Sequence, residues 1–260
     1  MRQLQVTPAP LEFLKLLAHD IRWQILLALS RSDCRAEELV EQIQQSHNLI
    51  SYHLKCLQLQ QIVSQRRSTA DGREIYFSLN LDQLRQMYTQ AGQALHPSVG
   101  DPVHKRSAQP ESLEGSPTHV LFLCTHNSAR SQMAEGLLRK LGGHQVEVFS
   151  AGSEPTSIHP LAIKVMNGRG IDLRSHRTKH LEEFEGQSFD YVITVCDRVR
   201  EACPVFPGDP TQIHWSFPDP AAIDGNLQKQ ERGFEDTARE LTNRIQYLLL
   251  MIQRSHKEQR

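Results

Sequence analysis

The sequence predicts two domains of different class: a mostly helical N-terminal unit closed by a small β-hairpin, and a C-terminal α/β unit built on a parallel sheet. Three observations carry this. Apolar residues recur at helical spacing up to about residue 60, and short apolar, β-rich runs alternate with helical segments after residue 118. Between them, from Ala94 to Pro117, periodicity stops and Pro97, Gly100, Pro102, Pro110, Gly115 and Pro117 stand among polar residues. That stretch reads as a linker over 95–117, separating a domain 1–94 from a domain 118–260.

In the first domain the groups Leu11-Leu14-Leu17-Ala18, Ile21-Ile25-Leu26-Leu29, Leu39-Val40-Ile43 and Ile50-Leu54-Leu57 each mark one face of a short helix. Ile62 to Arg67 and Glu74 to Leu79 are extended and partly alternating, with Asp71-Gly72 between them as a hairpin-turn signal. A further helix, Leu81 to Leu95, closes the unit. Helices followed by a small hairpin describe a winged helix-turn-helix, in which Leu39 to Gln45 supports a helix over His47 to Gln60. In the second domain the strands are Val120 to Leu123, Val146 to Ser150 and Tyr191 to Val195. The helices are Gln132 to Leu141, Leu161 to Met166 and a long one, about Gln228 to Ser255, with Phe234, Ala238, Leu241, Ile245 and Leu248 on one face.

Composition narrows the classes of function. The 260 residues are 38% apolar and 23% charged with a formal net charge of -1, so no whole-molecule field favours nucleic acid or membrane and any basic surface is local. Met1 to Pro10 holds no apolar core of signal-peptide length, and the longest purely apolar run, Tyr247 to Ile252, is too short to span a bilayer. Five cysteines at irregular spacing argue for reduced thiols used chemically, hence a cytoplasmic protein with no membrane partner.

The chemistry concentrates in Cys124-Thr125-His126-Asn127-Ser128-Ala129-Arg130-Ser131, which puts a Cys directly after a strand and an Arg-Ser pair just before a helix. A loop so placed turns backbone N–H groups and a helix N-terminus toward one point, where a tetrahedral oxyanion can sit. The same field is expected to lower the Cys124 thiol to about 3.5–7.5 and make it nucleophilic. Arg130 can hold two oxyanion oxygens with its planar fork, Ser131 can donate to the thiolate, and Asn127 can brace the loop. Two further cysteines, Cys196 and Cys203, follow an apolar strand with six residues between them, read as a flexible loop able to bring them together. Hydrolysis of a phosphoester needs one thiol, whereas a two-electron reduction needs at least two. The residues alone leave open an oxyanion reductase, a tyrosine or small-molecule phosphatase, and a repressor whose pocket only senses an oxyanion.

Cys124 to Glu135, Ser150-Ala151-Gly152, Val192 to Cys203 and His214-Trp215-Ser216-Phe217-Pro218-Asp219-Pro220-Ala221 make the second domain resemble the low-molecular-weight tyrosine phosphatases, in particular their thioredoxin-coupled arsenate reductases. The resemblance implies that Cys124 attacks arsenate while Asp219 protonates the departing oxygen. Cys196 then attacks Cys124, releasing arsenite, and Cys203 resolves the disulfide into a Cys196–Cys203 pair that thioredoxin, an external reductant, reduces. No bound cofactor is implied, and glutaredoxin is the rival reductant. Ala221 and Ala222, where the tyrosine phosphatases usually carry an aromatic residue, suit a small inorganic oxyanion. Some relatives hold a monovalent cation at positions matching Asn127, Glu135, Ser150 and Lys179. A lysine at the last implies that its ammonium replaces the cation.

Leu16 to Leu26 (LLAHDIRWQIL) and Leu49 to Leu57 (LISYHLKCL) resemble the ArsR family of dimeric winged-helix repressors. The resemblance implies a homodimer on double-stranded DNA, with Ser46, His47, Asn48, Ser51 and Tyr52 offered to base edges, Lys55 to phosphate, and Arg66, Arg67 and Arg73 on the wing to the backbone or minor groove. Arsenic-responsive members often carry Cys-x-Cys on the supporting helix. Here Asp33-Cys34-Arg35 offers a single thiol, with Cys56 elsewhere, so no metal site is assigned.

Overall fold

The computed structural model describes residues 10–96, 99, 116–201 and 205–258, and its backbone divides into two compact units, Met1–Ser112 and Leu113–Arg260. Residues 97, 98 and 100–115 of the expected linker lie outside the described residues, as does Cys203.

The first unit runs α1 (Pro10–Leu17), α2 (Asp20–Arg31), α3 (Ala36–Ile43), α4 (His47–Leu59), β1 (Val63–Arg67), β2 (Ile75–Leu79) and α5 (Leu81–Leu95). The periodic apolar residues of the later helices are its core, with Ile25, Leu29, Leu39, Ile50, Leu54 and Leu57 buried, but on α1 the buried side chain is Phe13, while Leu11 and Leu14 of the expected face are exposed. Gln44 ends α3 in the left-handed region at φ 58°, and Ser46 caps α4 by accepting from Leu49 N. That short turn is what sets α4 against α3. β1 and β2 pair antiparallel from Val63↔Leu79 to Arg67↔Ile75, which completes the winged helix-turn-helix.

The second unit contains β3 (Thr118–Cys124), α6 (Arg130–Gly142), β4 (Val146–Gly152), α7 (Pro160–Asn167), β5 (Tyr191–Thr194), α8 (Asp197–Glu201), β6 (Thr211–His214) and α9 (Leu227–Glu258). Its sheet is wholly parallel in the order β4-β3-β5-β6. β3 is central and buried over nearly its whole length, which explains why its sequence is a continuous apolar run rather than an alternation. α9 packs on α6 and α7 through Phe234, Ala238, Leu241, Ile245 and Leu248, each worth roughly 1.5–3 kcal/mol for the larger side chains. Among the described residues no helix is long and apolar enough to cross a membrane.

Two elements differ from the sequence reading. β6 is a strand not foreseen there, because its outer half, Thr211 and Gln212, is exposed and only Ile213 and His214 are buried. The residues after Cys196 were expected as a flexible loop, but Asp197–Glu201 is helical, anchored by the buried Asp197 and Val199.

Candidate active site and nucleic-acid interface

The sheet order reverses direction between β3 and β5: β3 leads outward to β4, and the chain then crosses back to β5 and β6. Parallel sheets open a crevice at such a point, beyond the carboxyl ends of the strands. Cys124 is the last residue of β3, and Cys196 follows two residues after the end of β5, so the two thiols flank that crevice. Both are buried.

The loop 124–130 is held from outside by its own backbone. Glu154 N donates to Thr125 O (2.8 Å), Thr156 N to His126 O (3.0 Å) and His159 N to Ser128 O (2.9 Å). In a trans peptide the next N–H points opposite to the carbonyl, so these three bonds turn the N–H groups of His126, Asn127 and Ala129 inward. Asn127 N accordingly donates to Cys124 Sγ at 3.1 Å. Sequence reasoning missed the segment Glu154–His159, which carries no periodicity to reveal it. Gly152 lets the loop approach: a Cβ there would stand 2.5 Å from Thr125 O and 2.8 Å from Asn127 N.

Asn127 sits at φ 46°, tolerable for Asn, with its side chain wholly buried and fully bonded. Its Nδ2 donates to Ser131 Oγ and Ser150 Oγ, while its Oδ1 accepts from Gln132 Nε2 and Lys179 N. Ser131 Oγ shares a 2.9 Å hydrogen bond with Cys124 Sγ. Arg130, on the first turn of α6, donates from NH1 to Phe217 O (2.9 Å) and from NH2 to Asp219 Oδ2 (3.0 Å). Asp219 thereby joins the site from the segment after β6, its Oδ1 also accepting from Ala221 N. Within the loop Ala129 is buried and His126 and Ser128 are half-buried.

Burial pushes the Cys124 thiol above its ordinary value, and neighbouring Cys196 adds to the rise; Arg130, Ser131 and the Asn127 N–H pull against it without prevailing. This corrects the expectation of a lowered thiol. The sulfur is shielded from water, and the guanidinium that would favour a thiolate is committed to Phe217 O and Asp219. Cys196 Sγ lies 3.4 Å from Thr125 Oγ1, in hydrogen-bond contact with the loop itself. Behind the loop, Glu135 is buried and accepts from Ser150 Oγ and from Arg139 NH2. Lys179 Nζ, 3.4 Å from Glu135 Oε2 and 3.1 Å from Arg177 O, completes the set of four positions named from the sequence.

On the first unit, Ser46, His47, Asn48, Tyr52 and Lys55 are exposed on α4 and Ser51 is half-buried, while His53 is turned into the core. Burial holds the His53 imidazole below its ordinary value, with His19 and Arg22 adding to the effect. The wing arginines are partly spent on the wing. Arg73 grips Asp71 with two nitrogens and holds that carboxyl below its usual range, and Arg67 NH1 donates to Gly72 O. Arg66 is half-buried, its NH1 donating to Arg67 O. Cys34 is buried against β2, bonded through its backbone to Phe77 and through Sγ to Ser32 O, and Cys56 is half-buried. Among the described residues no group of three or more His, Cys, Asp or Glu is arranged to hold a metal.

Residues 119–259 match the family of low molecular weight phosphotyrosine protein phosphatases, and residues 19–65 match the bacterial regulatory proteins of the arsR family. An arsenate reductase of Halalkalibacterium halodurans is 36% identical over 126 residues, 48% of this chain and 91% of that protein. An arsenate reductase of Bacillus subtilis is 35% identical over 126 residues, with the same shares covered. A solved structure described as an arsenate reductase in the phosphate binding state aligns at 29% identity and a TM-score of 0.43, covering 52% of this chain and 98% of that one. The chain therefore belongs, through its second unit, to the low molecular weight phosphotyrosine protein phosphatase family, with an arsR-family regulatory unit in front of it.

Proposed function

We propose that the second unit reduces arsenate to arsenite through Cys124, Cys196 and Cys203, and that the first unit binds double-stranded DNA as a homodimer, regulating transcription in the same arsenic response. One observation carries the choice of reductase over phosphatase: a second buried thiol, Cys196, touches the oxyanion loop at Thr125. Hydrolysis has no use for it.

The chemistry balances on the chain's own groups. A hydrogen arsenate dianion entering the loop takes the inward N–H groups and competes for the Arg130 fork, which frees Asp219 from its ion pair. Cys124 sulfur bonds to arsenic and an oxygen leaves as water. The proton lost by the thiol supplies the one needed, with Asp219 as its carrier. Burial favours the protonated form of the Cys124 thiol, and the scheme draws its proton from there. Cys196 then attacks Cys124 sulfur; the sulfur–arsenic electron pair stays on arsenic, which departs as arsenite carrying the Cys196 proton. Cys203 exchanges into the Cys124–Cys196 disulfide, freeing Cys124, and thioredoxin reduces the remaining pair. No bound cofactor enters the scheme. Thiols kept reduced between turnovers fit the cytoplasm.

The test is arsenate-dependent NADPH oxidation with thioredoxin and thioredoxin reductase. Wild type is expected to turn over repeatedly and Cys203→Ser to stop after one equivalent of arsenite. Turnover absent from both, with brisk hydrolysis of p-nitrophenyl phosphate, would make the unit a phosphatase. In the same assay, replacing sodium by potassium at constant ionic strength is expected to leave the rate within about 2-fold, because the Lys179 ammonium already faces Glu135 where a cation would sit. A strong potassium activation sinks that assignment.

A further inference from the structure

Cys196 is held by more than its contact with Thr125. The next residue, Asp197, is wholly buried; its Oδ1 accepts from Ser216 Oγ at 2.8 Å and lies 3.2 Å from His214 Nε2. The other ring nitrogen of His214, Nδ1, is 2.8 Å from Thr194 Oγ1, and His214 is itself buried. On the opposite side Val195 N donates to Leu123 O, tying the end of β5 to β3. Cys196 thus sits between a backbone bond to the strand that carries Cys124 and a side-chain clamp to the end of β6.

A carboxylate facing an imidazole in an apolar interior is costly to bury, and such pairs specify one arrangement rather than adding much stability. Nothing in oxyanion binding at Cys124, Arg130 and Asp219 uses Asp197 or His214. They stand beside the second sulfur, since Asp197 directly follows Cys196 in the chain. A thiol must approach within roughly 3–3.5 Å and in line with the bond it breaks, and a misplacement of about 1 Å can cost about 100-fold in rate.

We propose that Asp197 and His214 are positioning residues for the reductive step: their buried pair, seconded by Ser216, holds Cys196 at the end of β5 for attack on Cys124. The proposal rests on the arsenate reductase reading above. It separates two activities of one site, since phosphoester hydrolysis needs Cys124, Arg130 and Asp219 alone, whereas arsenite release also needs Cys196 in register.

The test uses the full chain carrying Asp197→Asn, which keeps size and the bond from Ser216 but removes the charge facing His214. The kcat for arsenate reduction is expected to fall by about 10-fold or more, while KM for arsenate and kcat/KM for p-nitrophenyl phosphate stay within about 2-fold. Ser216→Ala, a milder change that removes one hydrogen bond to Asp197, is expected to give the same pattern at smaller scale, and stands in if Asp197→Asn does not fold. Parallel loss of reduction and hydrolysis in both variants means a merely structural role and overturns the proposal. So does unchanged reduction in Asp197→Asn. A wild type that hydrolyses p-nitrophenyl phosphate but yields no arsenite overturns the reductase reading and this proposal with it, whereas a reducing wild type with equally reducing variants overturns this proposal alone.

Discussion

Cys196→Ser is expected to lower arsenate turnover by at least about 1,000-fold while leaving p-nitrophenyl phosphate hydrolysis within about 3-fold of wild type. The serine keeps a hydrogen bond to Thr125 Oγ1 but cannot be oxidised to a disulfide, so arsenic has no route off Cys124 as arsenite. A second readout follows from the electrostatics. Burial is the larger cause raising the Cys124 thiol and Cys196 the next, so the substitution removes one contribution and the thiol comes down. In the scheme above the thiol acts in its protonated form, so the alkaline limb of kcat/KM for p-nitrophenyl phosphate is expected to move toward lower pH. Steady-state arsenite production by Cys196→Ser would end the relay; a limb that moves the other way would end the account of the thiol.

The other large effect belongs to a residue with no chemistry of its own. Gly152→Ala places a Cβ 2.5 Å from Thr125 O and 2.8 Å from Asn127 N, and both are backbone atoms of the loop with nowhere to swing. The same Thr125 O accepts from Glu154 N, and Thr156 and His159 hold the carbonyls of His126 and Ser128, so the loop cannot retreat as a body without breaking those bonds. The expected cost is about 1–3 kcal/mol of stability, read as a lowered Tm, and at least about 100-fold in kcat/KM for both arsenate and p-nitrophenyl phosphate. Equal loss on both substrates distinguishes this from Cys196→Ser. A fully active Gly152→Ala enzyme would show that the loop's position is not fixed by this contact.

Much of this was legible in the sequence, and the reasons differ by element. The core face of α9 and the continuous apolar run of β3 follow from period and composition. Cys124 and Arg130 follow from a strand meeting a helix across a short polar loop. The start of α4 at His47 was read from its apolar period, and the structure adds that Ser46 caps it. What escaped notice lies where sequence separation hides contact. Asp197 and His214 stand 17 residues apart and meet only because β5 and β6 pair in register, and β6 itself shows too little buried surface to announce a strand. The segment 154–159 binds the loop through backbone groups, which no side-chain pattern records. The thiol's direction was misjudged because a spacing reveals the donors around a sulfur and not how deeply it is buried or where the neighbouring guanidinium has turned.

The pairing of β3 with β5 has one more implication. Leu123 stands opposite Thr194, so Cys124 falls level with Val195 and one residue short of Cys196. Both strands end there: Cys124 is the last residue of β3, and Cys196 lies in the bend between β5 and the helix that begins at Asp197. A cross-link between Cys124 and Cys196, the first one in the proposed relay, would therefore join the end of a strand to a bend, outside the hydrogen-bonded lattice of the sheet.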